Sequence, residues 1–188
     1  MKIEIEKEVK IKFPFENFFN YMVSLLPYRD ISGLEKIRIQ NKINSKLEKV
    51  NHKTQAFYHQ DKINNKGYID IILKNIIDVS IPSYAFEIHT EIGALLISEI
   101  LFHEIGHHVH YKKRHGVKRK EYEKFADKYA KAGYLTYLKS RSSKILSSYR
   151  WASLNLLVFN KEERSRFSKV RQELVNYLSN NRGEIIFP

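Results

Sequence analysis

The sequence predicts an α+β fold in which a small mixed or antiparallel sheet packs against long helices. Segments with the alternating pattern of β-strands all lie before residue 75, whereas apolar residues recur at helical spacing through most of the remaining chain. Hydrophobic residues make up 43% and aromatic residues 13% of the 188 residues, which is sufficient for a hydrophobic core. We therefore expect one domain spanning 1–188, with its core in about 30–140, an N-terminal strand and helix in 1–29, and a C-terminal helical extension in 141–188.

The N-terminal segment is predicted to be a strand followed by a helix. Residues 2–13 alternate between apolar and charged side chains, which indicates a strand. Pro14 favours the start of a helix and Pro27 its end. One face of this helix is apolar and consists of Phe15, Phe18, Phe19, Met22, Leu25 and Leu26. We expect this aromatic stripe to pack in the core rather than to bind a cofactor.

Three further strands are predicted in the first half of the chain. Apolar residues within 34–39 indicate a short strand, and 56–59 a second one. The β-branched and aromatic residues of 68–74 form the strongest strand pattern in the sequence. Residues 64–67 have the composition of a turn, whereas the polar segment 41–53 fits neither a strand nor a helix.

The longest helical pattern, around residues 92–107, contains a potential metal site. Thr90 is a suitable N-cap for this helix, which includes an H-E-x-x-H motif. Residues four apart lie on one face of a helix, so His103 and His107 can bind the same metal ion. Glu104 projects about 100° around the helix from His103, close enough to polarise a water molecule held by that metal. This is the ligand arrangement of a catalytic zinc ion, with a position left for water.

A third protein ligand is expected on the next helix, predicted over 119–139. Glu123 and Asp127 are again four residues apart and share one face. If Glu123 binds the metal, Asp127 can accept a hydrogen bond from the far nitrogen of a ligand imidazole and fix its orientation. His115, in the intervening loop, is the alternative third ligand. A solvated helix face is the other interpretation of the Glu123 and Asp127 pair.

The two motifs, H-E-x-x-H at 103–107 and E-x-x-A-D at 123–127, resemble those of gluzincin metallopeptidases. The pattern is similar to that of HtpX-type and CAAX-prenyl-protease-type peptidases and their small soluble relatives, the minigluzincins, over roughly residues 66–135. The chain differs from the membrane-bound members in lacking their spanning helices. The resemblance implies a zincin-like fold, with the sheet packed on an active-site helix, a second helix that carries the glutamate, and further C-terminal helices.

The resemblance also implies a zinc endopeptidase that acts on peptides or proteins, with one Zn²⁺ per chain held by His103, His107 and Glu123. Glu104 would act as general base and acid, and Asp127 would orient a ligand imidazole. A further side chain should polarise the substrate carbonyl. The sequence leaves four candidates for this donor, namely His110, Tyr129, Tyr149 and Arg150.

The strand at 68–74 lies shortly before the motif helix. In zincins a strand in this place borders the cleft and pairs with extended substrate, whereas the alternative interpretation is an ordinary interior strand. At the other end of the chain, Ile185, Ile186 and Phe187 favour an extended conformation and are costly to leave in water. This tail either covers the cleft, which would make the protein latent, or it frays or packs elsewhere on the core.

The C-terminal quarter is predicted to contain one more helix. Residues 140–160 include the only tryptophan, Trp151, and an apolar patch at 154–159. Asn160 and Glu163 have the spacing of a capping box that opens this helix. Its apolar face consists of Phe167, Val170, Leu174, Tyr177 and Leu178.

Composition limits the setting of the protein. The chain has no cysteine, which excludes disulfides and thiolate zinc sites and favours a reducing compartment. No apolar run approaches the ~18 residues of a membrane span, and the first residues do not resemble a secretory signal, so we expect a cytoplasmic protein. Six of the nine residues around Gly116 are basic, which indicates a solvated loop or a patch that steers acidic substrates.

The formal net charge of +12 leaves two alternative functions open. One is a regulatory protease of the ImmA/IrrE type that acts on a DNA-bound repressor. The other is a non-enzymatic basic protein that binds nucleic acid and has a structural metal site. Glu104 disfavours the second alternative, because a structural site has no need of that carboxylate.

Overall fold

The computed structural model describes residues 1–41, 54–61, 66–80, 90–113, 119–155, 157–183 and 185–188. Within these residues the chain forms a four-stranded mixed sheet and six helices, which confirms the predicted α+β class. The first half of the predicted turn at 64–67 lies outside the described residues, whereas its second half, 66–67, is strand rather than turn. His115, Gly116 and almost all of segment 41–53 also lie outside the described residues.

The N-terminal segment forms strand β1 (Lys2–Ile5), helix α1 (Phe15–Ser24) and the short helix α2 (Tyr28–Ile31). The strand predicted for 2–13 is therefore too long. It ends early because the Val9 amide donates a hydrogen bond to the Glu6 carbonyl and closes a turn. Helix α1 follows Pro14 as predicted and buries its aromatic face in the core.

The sheet contains β1, β2 (Leu34–Gln40), β3 (Ala56–Asp61) and β4 (Lys66–Ile72) in the order β1-β2-β4-β3. The first two pairings are parallel, and β3 runs antiparallel to β4. The predicted strand at 68–74 is thus an interior strand, and its last two residues belong to helix α3 (Leu73–Ser80). Within the described residues β3, not β4, is the sheet edge nearest the motif helix.

The two faces of the sheet have different roles. Ile37, Ile39, Ile69 and Ile71 are completely buried and belong to the core on the helical side. On the other face Arg38 donates two hydrogen bonds to its cross-strand neighbour Asp70, at 2.6 and 2.7 Å. This alternation follows the period-two pattern that predicted the strands.

Three long helices complete the fold, namely α4 (Thr90–Lys113), α5 (Arg119–Leu154) and α6 (Lys161–Asn180). Helix α5 continues well beyond the predicted end near residue 139. Its C-terminal part is stabilised by packing, because Ile145, Tyr149 and Ala152 recur at helical spacing and are buried in the same core as α6.

The capping box that opens α6 is confirmed. The Asn160 side chain accepts a hydrogen bond from the Glu163 amide at 3.0 Å, and the Glu163 carboxylate accepts one from the Asn160 amide at 2.9 Å. In the described part of the chain, none of the helices has the length and apolar character needed to cross a bilayer.

Candidate metal centre

His103, His107 and Glu123 converge where α4 packs against α5. Each can offer one ligand atom such that all three atoms lie within 4.8 Å of one another. The nearest Glu123 oxygen is 3.5 Å from Nε2 of His103 and 3.6 Å from Nε2 of His107. These distances exceed the usual 2.7–3.2 Å of an N–H···O hydrogen bond. They match the roughly 3.3–3.6 Å that separates two ligand atoms around one tetrahedral zinc ion.

Close helix packing brings Glu123 to the two histidines. Gly106 lies inside the H-E-x-x-H motif, and a Cβ atom there would stand only 2.8 Å from Cα of Ala126 and 3.0 Å from Cβ of Tyr129. The backbone of α5 therefore rests directly on the motif turn of α4. Glu123 is one turn before Ala126, so this contact determines the distance between its carboxylate and the imidazoles of His103 and His107.

The imidazole of His103 has a different partner on each nitrogen. Its Nδ1 lies 3.1 Å from a carboxylate oxygen of Asp127, while Nε2 faces Glu123. A carboxylate can only accept, so this contact assigns the proton of the neutral ring to Nδ1. The Nε2 lone pair is then directed into the site, as metal binding requires.

His107 is buried, and its ring stacks on Tyr122 with the centroids 4.2 Å apart. Burial, together with the neighbouring imidazoles of His103 and His110, lowers the pKa of His107 to about 3. The ring is therefore neutral near pH 7 and needs no deprotonation before it binds a metal. Among the described residues, its buried Nδ1 has no hydrogen-bond partner.

Glu104 lies beside the metal ligands and is only 7% exposed. Burial raises the pKa of its carboxyl, a hydrogen bond from the Tyr58 backbone amide lowers it, and the charge of Glu123 raises it, so that the net pKa is about 8. Tyr58 belongs to β3, so the edge strand and the motif helix meet at this carboxyl. A group with such a pKa can take up and release a proton near neutrality.

The residues present fit a zinc ion. The donors are two imidazoles and one carboxylate, the set found in catalytic zinc sites that leave one position for water. The site is also accessible, since the side chains of His103 and Glu123 are 27% and 48% exposed.

The structure separates the four residues proposed as carbonyl-polarising donors. His110 is buried next to the site, where its ring contacts those of Tyr122 and Phe125. Tyr129 is also buried, but its hydroxyl donates to Asp30 at 2.9 Å.

Tyr149 and Arg150 are distant from the metal centre. Because α5 continues as one helix, they lie about seven turns beyond Glu123, roughly 40 Å along the axis. Tyr149 packs against Phe167 of α6, and Arg150 is exposed. The structure therefore does not bring these two residues to the site.

Three residues near the site were not singled out from the sequence. The Tyr58 hydroxyl lies 3.0 Å from Nδ1 of His108, whose Nε2 lies 2.9 Å from the Ser32 carbonyl. Burial lowers the pKa of His108. His108 follows Glu104 by one turn, so helical spacing could have indicated it. Neither Tyr58 nor Tyr122 has a local sequence signal, since each is defined by packing between elements.

A cleft of about 1020 Å³ opens beside the metal centre. Its lining includes His103, Glu104 and Asp127, and the start of β3 contributes Ala56. The walls further from the metal centre include Ile100, Tyr134, Leu174 and Tyr177, from α4, α5 and α6. A volume of this size can hold several residues of an extended peptide.

The described C-terminal residues 185–188 are not among those that line this cleft. The Phe187 ring packs on Tyr129 with the centroids 5.1 Å apart, and Lys113 donates a hydrogen bond to the Pro188 carbonyl at 2.8 Å. Tyr129 follows Asp127 by two residues, about 200° around α5. The tail thus packs on the core, on the face of α5 that points away from the cleft.

Comparisons with protein families, with curated proteins and with solved structures found no match to this chain. The α+β fold and the cluster of two histidines and a glutamate therefore define an α+β protein with a candidate metal centre.

Proposed function

We propose that the protein is a zinc-dependent metallopeptidase of the gluzincin type, with one zinc ion held by His103, His107 and Glu123. The observation that carries this proposal is the separation of 3.5 and 3.6 Å between the Glu123 carboxylate and the two imidazole nitrogens. The contact of Asp127 with His103 supports it, because metal-ligating imidazoles usually donate their second N–H to a carboxylate.

Glu104 supplies the acid–base chemistry. When bound, zinc acts as a Lewis acid that lowers the pKa of a water molecule and polarises the substrate carbonyl. The Glu104 carboxylate would accept a proton from the attacking water as its oxygen bonds to the carbonyl carbon, and would deliver that proton to the amide nitrogen as the C–N bond breaks. The Glu104 carboxyl is buried next to Tyr58 of β3 and has a pKa of about 8 in the metal-free chain. Such a group can both accept a proton from water and donate a proton to the amine.

The cleft and the sheet edge suit a peptide or protein substrate. Strand β3 has a strand neighbour on one side only within the described residues, so its other edge can pair with an extended chain. The start of β3 lines the cleft next to His103 and Glu104. An extended peptide along this edge passes the general base, which is the placement that peptide hydrolysis requires.

Metal analysis combined with a peptidase assay tests the proposal. The wild-type protein should bind one zinc per chain, and His103→Ala and Glu123→Ala should each lose it, since two protein ligands seldom hold zinc. Glu104→Gln should keep zinc and lose hydrolysis of an unfolded protein substrate, because an amide cannot accept the proton.

A matched control is Glu121→Ala, which removes a carboxylate from the same helix two residues before Glu123. This variant should keep both zinc and activity. Full zinc occupancy in His103→Ala, or wild-type hydrolysis by Glu104→Gln, would contradict the assignment.

A further inference from the structure

The connection between α5 and α6 exposes a group of apolar side chains far from the metal centre. We call the described residues of this connection, 151–155, 157 and 158, the hairpin tip. Leu157 is 98% exposed, Leu154 66%, Trp151 42% and Val158 36%. These four residues fall within eight positions at the connection between α5 and α6, close enough in the chain to act as one apolar surface.

The tip is a defined turn. The Asn155 side chain accepts hydrogen bonds from the amides of Leu157 and Val158, both at 3.1 Å. Below it, Phe159 packs against Phe167 at 4.8 Å, and the capping box fixes the start of α6. The hydrogen bonds tie the backbone at 157–158 to Asn155, and the buried aromatic rings anchor the base of the turn.

Basic residues flank this apolar surface along α5 and α6. Residues 144–169 contain six lysine and arginine residues and two glutamates, a net charge of +4, within a chain of net charge +12. Five of the six are exposed, namely Lys144, Arg150, Lys161, Arg166 and Lys169. An apolar tip flanked by exposed basic side chains is complementary to an anionic bilayer, whose headgroups are negative and whose interior is apolar.

A second copy of the chain is a less suitable partner for the hairpin tip than an anionic bilayer. Joining two tips would bring two groups of net charge +4 together, and like charges disfavour such an interface.

The residue types at the tip also match the layers of a bilayer from its interior to its surface. Leucine and valine suit the acyl region, tryptophan the interface, and lysine and arginine the headgroups.

We propose that the hairpin tip docks on anionic phospholipid bilayers. Leu154, Leu157 and Val158 enter the headgroup and acyl boundary, Trp151 lies at the interface, and the flanking lysine and arginine side chains contact lipid phosphates. The contact is peripheral and needs no spanning helix. It is independent of the metal centre and of the proposed peptidase activity.

Intrinsic fluorescence tests this directly, because Trp151 is the only tryptophan of the chain. The full-length protein is mixed with phosphatidylcholine vesicles that contain or lack phosphatidylglycerol. We expect a blue shift of the emission and quenching by lipids with brominated chains, in the anionic vesicles only. Binding without a shift or quenching would mean adsorption by charge alone and would overturn insertion of the tip.

Charge substitutions locate the contact. Leu157→Asp should lower partitioning into anionic vesicles by at least about tenfold, since aspartate is strongly disfavoured in the membrane interior. The side chain is almost fully exposed, so the fold should tolerate the change, as circular dichroism can verify. Tyr28→Asp, at a site 81% exposed elsewhere on the surface, adds the same charge and should keep binding within about twofold.

Two outcomes would overturn the proposal. One is equal loss of vesicle binding in both variants, which would mean that the change in net charge alone explains the loss. The other is a blue shift that depends on protein concentration without lipid and is abolished by Leu157→Asp, which would assign the tip to a contact between copies.

Discussion

In the proposed zinc site, Asp127 would influence metal binding without contacting the metal. Its carboxylate lies 3.1 Å from Nδ1 of His103 and so holds Nε2 toward Glu123. Replacing Asp127 by asparagine removes the charge and weakens control of the tautomer. We expect zinc affinity to fall by about ten- to a hundredfold, the usual scale for such partners. Competition with a chelating indicator measures it.

Asp127 is 71% exposed, so a loss of affinity in Asp127→Asn cannot be attributed to unfolding of the core. Glu121→Gln, which neutralises another carboxylate of α5, controls for the change in net charge. Equal affinities for Asp127→Asn and the wild-type protein would show that His103 does not depend on this contact.

Glu104 should make the stability of the metal-free protein depend on pH. Its pKa is about 8 when folded and about 4.5 in an unfolded chain, so the folded state holds a proton that the unfolded state releases. The contribution is fully present below pH 4.5 and is lost as the pH rises through 8.

His107 acts in the opposite direction and in a more acidic window. Its pKa is about 3 when folded and 6.5 in an unfolded chain, so its contribution is lost as the pH falls from 6.5 toward 3. Between pH 6.5 and 8 the Glu104 carboxyl acts without this opposing effect.

We therefore expect the free energy of unfolding of the chelator-treated protein to fall by about 1–2 kcal/mol between pH 6.5 and 8. Glu104→Gln mimics the protonated carboxyl and should show a flatter profile. Urea unfolding at several pH values measures both. Parallel profiles would mean that Glu104 does not have the raised pKa.

At the level of residues, the sequence predicted those contacts that depend only on spacing within one helix. His103, His107, Glu123 and Asp127 could be paired from the sequence because one helical turn separates the members of each pair. Tyr58 could not, since its contact with Glu104 depends on where β3 lies in the sheet.

Among the elements, the crossing of α4 and α5 depends on Gly106. A methyl group at this position would stand 2.8 Å from the Ala126 backbone, closer than Cβ atoms approach, so the helices would have to separate. We expect Gly106→Ala to lower the free energy of unfolding by about 1–3 kcal/mol through overpacking. Zinc affinity should fall as well, because Glu123 moves with α5.

Gly183→Ala is the matched control, since an added Cβ there meets nothing within 4 Å. Thermal unfolding and zinc titration of both variants separate the effects. Unchanged zinc affinity in a destabilised Gly106→Ala protein would mean that the helix contact supports the fold without positioning Glu123.

The sequence predicted the existence of elements better than their arrangement. Alternation identified β2 and β4, but strand order depends on pairing between distant segments, so β3 could not be identified as the edge next to the cleft. The sequence predicts an end of helix α5 near residue 139, because the polar residues beyond it weaken the local helical pattern. Packing of Ile145, Tyr149 and Ala152 extends it to Leu154.

For the molecule as a whole, the position of the C-terminal tail predicts a role in stability. Phe187 is half-buried against Tyr129 on the side of α5 that points away from the cleft. Phe187→Ala should lower the free energy of unfolding by about 1–2 kcal/mol. The neighbouring Ile186 is 82% exposed, and Ile186→Ala should have little effect. Denaturant unfolding distinguishes the two.

Deletion of residues 183–188 addresses latency. Because the described tail residues do not line the cleft, the shortened protein should hydrolyse substrate no faster than the full chain once both carry zinc. A marked gain in turnover on deletion would show that the tail covers the cleft in solution.

Helix α5 carries Glu123 near one end and Leu154 at the other, 31 residues apart. At 1.5 Å per residue this corresponds to a span of at most about 46 Å. With the hairpin tip on a bilayer, the length of α5 would keep the metal centre within about 46 Å of the lipid surface. A membrane-anchored substrate would need up to about 14 extended residues to reach the same height. Cleavage sites would then be selected by their distance from the membrane as well as by their sequence.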